Sequence, residues 1–343
     1  MPKELLRETE NRPMANDSPV ALLTGGAGYV GAHVALALRE AGWRIVVLDD
    51  LSAGRREGVL PECVFYEGEV GNSETLDSVF AAHRFSAVLH LAAVSSVPES
   101  VADPARCDKI NRLDSQILIN AARRFRVPYF IFSSTSVVYD EDGAPPFAED
   151  SPLKPKSPYA ASKLAVEQYL AAASAPRFAA LRYFNVGGAD PQLRAGNRKR
   201  RDTTLIKAAL ECAAGVRPRL DICGRDYPTA DGTGVRDYIH VSDVAAAHVS
   251  ALSYLQNGGA SGAFNLGLGR GFSVLEVVAA AKRITGVDFP LRDAPRREGD
   301  PATIYGDPRK ARRAFGFSPR FDSLETIVAH SWAWERALQK RGG

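Results

Sequence analysis

The chain reads as an α/β protein: a doubly wound parallel Rossmann sheet with a smaller C-terminal α/β substrate lobe. Three observations carry that reading. Short apolar runs alternate with helical segments from Val20 onward, the pattern of strands buried on both faces. A glycine-rich turn follows the first run and opens the first helix. The second run ends in two carboxylates, Asp49 and Asp50, about twenty residues past the glycines.

The elements follow in order. Residues 20–24 form the first strand and residues 30–41 the first helix. Residues 44–48, 64–67, 87–91 and 129–132 are further buried strands, and residues 73–83 and 114–126 supply helices between them. Ser157-Pro158 marks the start of another helix, over residues 159–173. After Tyr183 the pattern loosens and Gly and Pro increase. The expected division is a disordered tail over 1–19, a dinucleotide-binding domain over 20–186 and a second domain over 187–343. A helix at 241–256 returns to the first domain. The tail is rich in Glu, Arg and Asn. Met14 stands just before the first strand and is an alternative start.

Composition excludes several classes. A net charge of +3 is too small for a nucleic-acid footprint. No apolar stretch is long enough to span a bilayer. The polar N-terminus lacks the apolar core of a secretion signal. Cys63, Cys107, Cys212 and Cys223 are scattered, with no CxxC pair and no zinc spacing, so free thiols in a reducing cytoplasm and no metal are expected.

Gly25-x-x-Gly28-x-x-Gly31 sits where a strand turns into a helix. Gly25 permits a tight turn, Gly28 lets backbone approach a pyrophosphate, and Gly31 lets helix pack on strand. The helix N-terminus offers free N–H groups to phosphates. Asp49 can accept from the adenosine ribose hydroxyls and repels a 2′-phosphate, so NAD is favoured over NADP. Arg55 and Arg56, close by, read as solvated loop charges.

Tyr159-x-x-x-Lys163 places a phenol and an ammonium on one helix face. A nearby positive charge favours phenolate, giving a general base usable near neutral pH. Ser133-Ser134-Thr135 ends an apolar strand, where ligands of such sheets sit, and a hydroxyl there can bridge tyrosine and substrate.

Together these motifs resemble the extended short-chain dehydrogenase/reductase family. More narrowly, the chain is similar to the UDP-galactose (UDP-glucose) 4-epimerases. The run from Asp231 to Val241, Tyr183-Phe184-Asn185, Gly188-Ala189-Asp190-Pro191 and Ala294-Pro295-Arg296-Arg297-Glu298-Gly299-Asp300 carry that likeness. It implies an isomerase that oxidises a UDP-sugar at C4 to a ketose and reduces it again on the other face. Tyr159 is implied as base, Lys163 as the residue that holds the nicotinamide ribose, and Thr135 as a partner of the reacting oxygen. The implied NAD site takes in Gly25, Gly28, Tyr29, Val30, Gly31, Asp49, Asp50, Glu69 and Val70. It continues through Leu91, Ala92, Ala93, Asn111, Ser133, Tyr159, Lys163 and Tyr183. The implied substrate site takes in Thr135, Tyr159, Phe184, Asn185, Thr204, Leu205, Asp221, Cys223, Arg236, Tyr238, Arg297 and Asp300. Arg236 and Arg297 are suited to clamp a diphosphate. The run from Arg198 to Arg201 matches no motif and reads as a solvated loop.

Departures from the family pattern are specific. Glu69 stands for the usual Asp, Ser95 for a common Lys, and Thr204 for an Asn or His. Asn111 survives in a segment that lacks the family's Gly. Ile304 aligns with the position that controls N-acetyl acceptance, and its branched bulk disfavours N-acetylated sugars. Thr135 is followed by Ser136 and Val137, not the acidic pair a dehydratase needs. A UDP-xylose/UDP-arabinose 4-epimerase and a non-catalytic NAD-binding sensor remain as alternatives. The resemblance also implies a homodimer built on the helices at 114–126 and 159–173, with Ile117, Leu118, Ala121, Leu164, Val166, Tyr169 and Leu170 as candidate contacts.

Overall fold

The computed structural model describes residues 18–199, 202–297 and 300–340. Most of the expected tail with Met14, Arg200 and Arg201 of the basic run, and Glu298-Gly299 lie outside the described residues.

In chain order the strands are β1 (Val20–Thr24), β2 (Arg44–Asp49), β3 (Val64–Glu67), β4 (Ala87–His90), β5 (Tyr129–Thr135), β6 (Arg177–Tyr183) and β7 (Asn185–Gly187). They continue as β8 (Leu220–Cys223), β9 (Val235–Arg236), β10 (Tyr238–His240), β11 (Gly262–Leu266), β12 (Phe272–Ser273), β13 (Leu291–Ala294) and β14 (Thr303–Ile304). The first helices are α1 (Tyr29–Glu40), α2 (Ser73–Ala82), α3 (Val97–Ala102), α4 (Pro104–Asp108), α5 (Asp114–Arg124) and α6 (Pro158–Ala171). The rest are α7 (Leu205–Ala213), α8 (Val241–Gln256), α9 (Val274–Thr285), α10 (Arg309–Phe315) and α11 (Leu324–Lys340).

The central sheet has seven parallel strands in the order β11-β6-β5-β4-β1-β2-β3. Successive strand residues point to opposite faces. Leu23, Val47 and Leu89 therefore pack with Val34 and Leu38 of α1 and Val244 and Leu252 of α8. Leu22, Val46, Val88 and Phe130 pack with Leu76 of α2, Leu118 of α5 and Val166 and Leu170 of α6 on the other side. Each such buried side chain contributes roughly 1.5–3 kcal/mol. Leu118, Val166 and Leu170 are thus spent on the sheet and are not free for a partner subunit.

The sequence reading returns only the 241–256 helix to the first domain. The structure adds β11, in register with β6 from Gly262↔Ala179 to Leu266↔Tyr183, and α10, which packs on α8 and β11. A five-residue run such as β11 carries too little periodicity to announce its sheet; the exposed edge of β6 decides it. The strand at β6 also went unread. β5 extends past the expected Phe132 to Thr135, so the polar triplet stays in the ladder.

The second lobe gathers α7, α9, α11 and the β13–β8 pair around Ile206, Leu210, Val277, Ile327 and Val328. Ser273 and Glu276 form a capping box that starts α9. Small ladders β10–β7 and β12-β9-β14 connect this lobe to the sheet's C-terminal edge. Among the described residues no helix is long and apolar enough to cross a membrane.

Candidate active site

A cleft of about 1100 Å³ runs along the C-terminal ends of the strands, over the point where the strand order reverses at β1. Its floor is the turn after β1. Gly25 has φ +72°, and a Cβ there would lie 2.6 Å from the Ala92 nitrogen. A Cβ on Gly31 would collide with the Gly25 carbonyl. Gly28 is the N-cap of α1 and has no side chain with which to cap it. Tyr29, Val30 and Gly31 line the cleft, so the positive end of α1 opens into it. That cradle fits the pyrophosphate of a dinucleotide.

Asp49 is buried at the end of β2. One oxygen accepts from the Ala27 amide at 2.9 Å and the other from Leu51, also at 2.9 Å. Burial pushes its carboxyl up, and those two amides pull it back. Asp49 therefore ties the glycine turn to β2, while each oxygen keeps a lone pair for a ribose. Asp50 beside it is exposed and holds the Ser52 amide and hydroxyl at 2.9 and 2.6 Å. Glu69 meets the Lys109 ammonium at 3.4 Å, and Lys109 also meets Asp114 at 3.1 Å. Val70, Leu91, Ala92 and Ala93 complete this wall.

Behind it stands His90, which sequence reasoning missed. Ser115 Oγ donates to the Asn111 carbonyl at 2.5 Å, so it accepts from His90 Nε2 at 2.7 Å. His90 Nδ1 then accepts from the Thr24 hydroxyl at 2.7 Å. Burial pushes this imidazole down to about 3 and keeps it neutral.

The chemical corner lies where α6 meets β5. Ser157 caps α6 through the Ala160 amide, and Pro158 fits the first turn, whose N–H needs no partner. One turn on, Lys163 donates to the Ser133 carbonyl at 2.8 Å. Its Nζ stands 4.8 Å over the Phe132 ring and 6.0 Å from the Tyr159 ring centre. Ser133 Oγ bonds the Tyr183 hydroxyl, and Thr135 bonds the Tyr159 hydroxyl. Ser133, Thr135, Tyr159, Lys163 and Tyr183 all line the cleft.

The electrostatics differ from expectation. Burial pushes the Tyr159 phenol up to about 12, with the Thr135 hydrogen bond pulling it back. Burial pushes the Lys163 ammonium down to about 7. The expected lowering of the phenol is not there: the ammonium is bonded to the Ser133 carbonyl, not to the phenol, and desolvation dominates at the phenol.

On the opposite wall stand Phe184, Asn185, Thr204, Leu205 and Tyr238. The β7–β10 register sets Asn185 beside Tyr238. Asn111 lies behind the wall, accepting from the Val94 amide at 2.8 Å and donating to its carbonyl at 3.0 Å. Asp221, Cys223, Arg236, Arg297 and Asp300 are also off this wall. Asp221 is held by Arg292 at 2.5 Å, and Arg236 by Asp300 at 2.5 Å. Cys223 ends β8, and Arg297 is exposed. Ile304 packs with Tyr139, Phe147 and Phe184 behind the cleft lining. Lys109, Arg106 and Arg194 line the cleft without a motif that would have found them.

The comparisons with known proteins bear on this site. Residues 21–267 match the model of the NAD dependent epimerase/dehydratase family. The chain belongs to that family. It is similar to the UDP-glucose 4-epimerase of Azospirillum brasilense, 46% identical over 329 residues, which cover 95% of this chain and 94% of the relative. Its fold is similar to the UDP-glucose 4-epimerase of Stenotrophomonas maltophila, solved with NAD and formylated UDP-arabinopyranose. That match has a TM-score of 0.89 at 36% identity, covering 94% of this chain and 99% of the other. The Brucella ovis UDP-glucose 4-epimerase, solved with NAD, matches with a TM-score of 0.89 at 38% identity, covering 92% and 98%. Both of these solved relatives hold NAD.

Proposed function

We propose that the chain is a UDP-glucose 4-epimerase: it interconverts UDP-galactose and UDP-glucose by reversible oxidation at C4 through a 4-keto sugar. The observation that carries this reading is the Tyr159, Thr135 and Lys163 group, which opens into the same cleft as the glycine turn. High identity to the Azospirillum brasilense UDP-glucose 4-epimerase across nearly the whole chain supports it. Bound NAD supplies the acceptor and then the donor of the C4 hydride.

The chain's own residues handle the proton and the position. Tyr159 takes the proton from the sugar 4-hydroxyl and later returns it. Thr135 holds both the tyrosine oxygen and the reacting oxygen. Lys163, fixed on the Ser133 carbonyl, orients the nicotinamide ribose. Arg236 and Arg297 take the diphosphate, Asn185 flanks it, and Asp300 accepts from the uridine ribose. For Arg236 this means exchanging the Asp300 carboxylate for phosphate oxygens of the same charge. The unit at 20–186 binds the cofactor, with the returning segments completing its sheet, and the remainder binds the UDP-sugar. We place the enzyme in the cytoplasm as a homodimer on the α5 and α6 surfaces. Light scattering that gives a monomer at micromolar concentration would refute the dimer.

Proton NMR of UDP-galactose with purified protein and no added cofactor tests the reading. UDP-glucose growing to a stable ratio supports it. No conversion even with added NAD rejects it for the hexoses and leaves the pentose reading, a UDP-xylose/UDP-arabinose 4-epimerase. The pentose derivative held by the Stenotrophomonas maltophila relative favours that as the second reading. The branched Ile304, packed against Phe184, is expected to disfavour an N-acetyl group, so UDP-N-acetylgalactosamine is expected to turn over poorly.

A further inference from the structure

We propose that Glu167 and Arg182 are a positioning pair: they lock the α6 helix, and the charge on Lys163, against the strand end that carries Ser133 and Thr135. This rests on the 4-epimerase reading above.

Three consecutive residues of β5 hold three residues of α6. The Ser133 carbonyl takes the Lys163 ammonium at 2.8 Å. The Ser134 hydroxyl donates to Glu167 Oε1. The Thr135 hydroxyl bonds the Tyr159 phenol. Tyr159, Lys163 and Glu167 are spaced four apart and lie along one helix face. The motif residues are therefore the first two rungs of a three-rung ladder, and Glu167 is the third.

Arg182, on β6, closes that rung. Its Nε lies 3.0 and 3.2 Å from the two Glu167 oxygens, and its Nη2 lies 2.6 Å from Oε2. Both residues are buried. Nη1 of Arg182 donates to the Tyr139 hydroxyl at 3.0 Å and to the Glu149 carbonyl at 3.4 Å. Tyr139 donates to Asn265 on β11 at 2.7 Å, and Asn265 holds the Phe147 carbonyl at 2.8 Å. Phe147 packs with Tyr139, Phe184 and Ile304 at the cleft's far wall. One polar chain thus runs from the catalytic helix to the substrate side.

Such a pair is a poor source of stability. Replacing a buried ion pair by apolar residues of similar volume is often neutral or stabilising. Its value here is the field it sets at Lys163. The groups facing that ammonium are few: Tyr159 and Glu167 on its own helix, Cys107 on α4, His90 on β4, the Ser133 carbonyl and Phe132 ring on β5, and Arg182 beyond Glu167 on β6. His90 is neutral, and the Cys107 thiol is pushed up by burial. Glu167 is then the one carboxylate among them, and it favours the charged ammonium.

The test is the pH dependence of UDP-galactose turnover by the NAD-loaded wild type, Glu167→Gln and the double variant Glu167→Met/Arg182→Met, with Tyr159→Phe as control. Glu167→Gln leaves Arg182 uncompensated beside Lys163. Its alkaline limb is expected to move down by about one pH unit. The double variant removes the guanidinium together with the carboxylate, so Lys163 loses the favourable charge without gaining an uncompensated cation beside it, and its limb is expected to move the same way by less. If Glu167→Gln does not fold, the double variant is read by the same criterion. Variants that lose rate while both limbs coincide with the wild type overturn the proposal, since a merely structural role lowers the rate without moving a limb. A wild type that turns over no UDP-sugar, or an active Tyr159→Phe, overturns the 4-epimerase reading itself and this inference with it.

Discussion

The sheet side of the cleft and the outer lobe beyond its far wall are built on different physics. On the sheet side Ser133, Thr135 and Lys163 are buried, and each polar atom that matters has a fixed partner. On the outer lobe Arg292, Arg225 and Arg296 are largely exposed and each is matched to an exchangeable carboxylate: Arg292 to Asp221, Arg225 to Asp293, Arg296 to Asp226. Arg236 with Asp300 stands between these extremes, half-buried but still paired to a carboxylate. The difference follows from the two tasks. Moving a proton and a hydride needs atoms held within tenths of an ångström in a dry site. Holding a diphosphate needs guanidinium groups that can trade one anion for another.

The contrast can be broken in order of expected effect. Tyr159→Phe removes the group proposed to exchange a proton with the sugar. It should lower kcat by about 10²–10⁴-fold with little change in UDP affinity. Calorimetric binding of UDP beside the turnover rate checks both halves. Retained turnover would show that the fixed wall is not where the chemistry lies.

Acid should strike the sheet side next. His33, His90, His240 and His248 are buried and neutral, pushed by burial to about 4, 3, 3 and 4. In the unfolded chain they titrate near 6.5. Between those values the unfolded state binds more protons, so their contribution is complete above about pH 6.5 and is lost as pH falls toward 4. Asp237, raised by burial to about 6, works in the opposite direction, as do Asp49, Glu141, Glu149 and Asp243, also raised by burial, so they offset part of the loss. Urea unfolding is expected to give a stability at pH 5 lower by about 2 kcal/mol or more than at pH 7.5. An unchanged midpoint would mean that these imidazoles are not desolvated.

Arg236→Ala should fall in between. Losing a charged hydrogen bond of about 1.5–3 kcal/mol predicts a KM for UDP-galactose raised roughly 10–100-fold, with kcat changed less. A fall in kcat at constant KM would move Arg236 from the adaptable wall to the fixed one. At the small end, Arg292→Ala breaks only an exposed pair with Asp221. Surface pairs of this kind contribute little, so neither the urea midpoint nor the rate should change measurably. A large loss of activity there would put Asp221 and Cys223 into the substrate site after all.

Legibility in the sequence followed the same division. The glycine turn, Asp49 and the tyrosine–lysine pair stand in short local patterns with one physical purpose each, and all of them open into or border the cleft. Arg297 and Asp300 stand in a run that resembles the family's, while Asp221 and Cys223 stand in no local pattern. Their distance from the cleft wall depends on how the small ladders β13–β8 and β12-β9-β14 fold. Glu167 and Arg182 carried a faint signal, opposite charges set inside a buried helix face and an apolar strand, but nothing local pairs residues fifteen apart across two elements.

By itself the sequence determined the parallel sheet and singled out the glycine turn and the tyrosine–lysine pair as local patterns, because periodicity, glycine and i,i+4 spacing act over a few residues. Only the tertiary structure decided that β11 closes the sheet, that Lys163 is bonded to the Ser133 carbonyl rather than to the phenol, and that burial sets both groups' protonation. Strand pairing and desolvation depend on what the rest of the chain brings alongside, and that is not written at any one position.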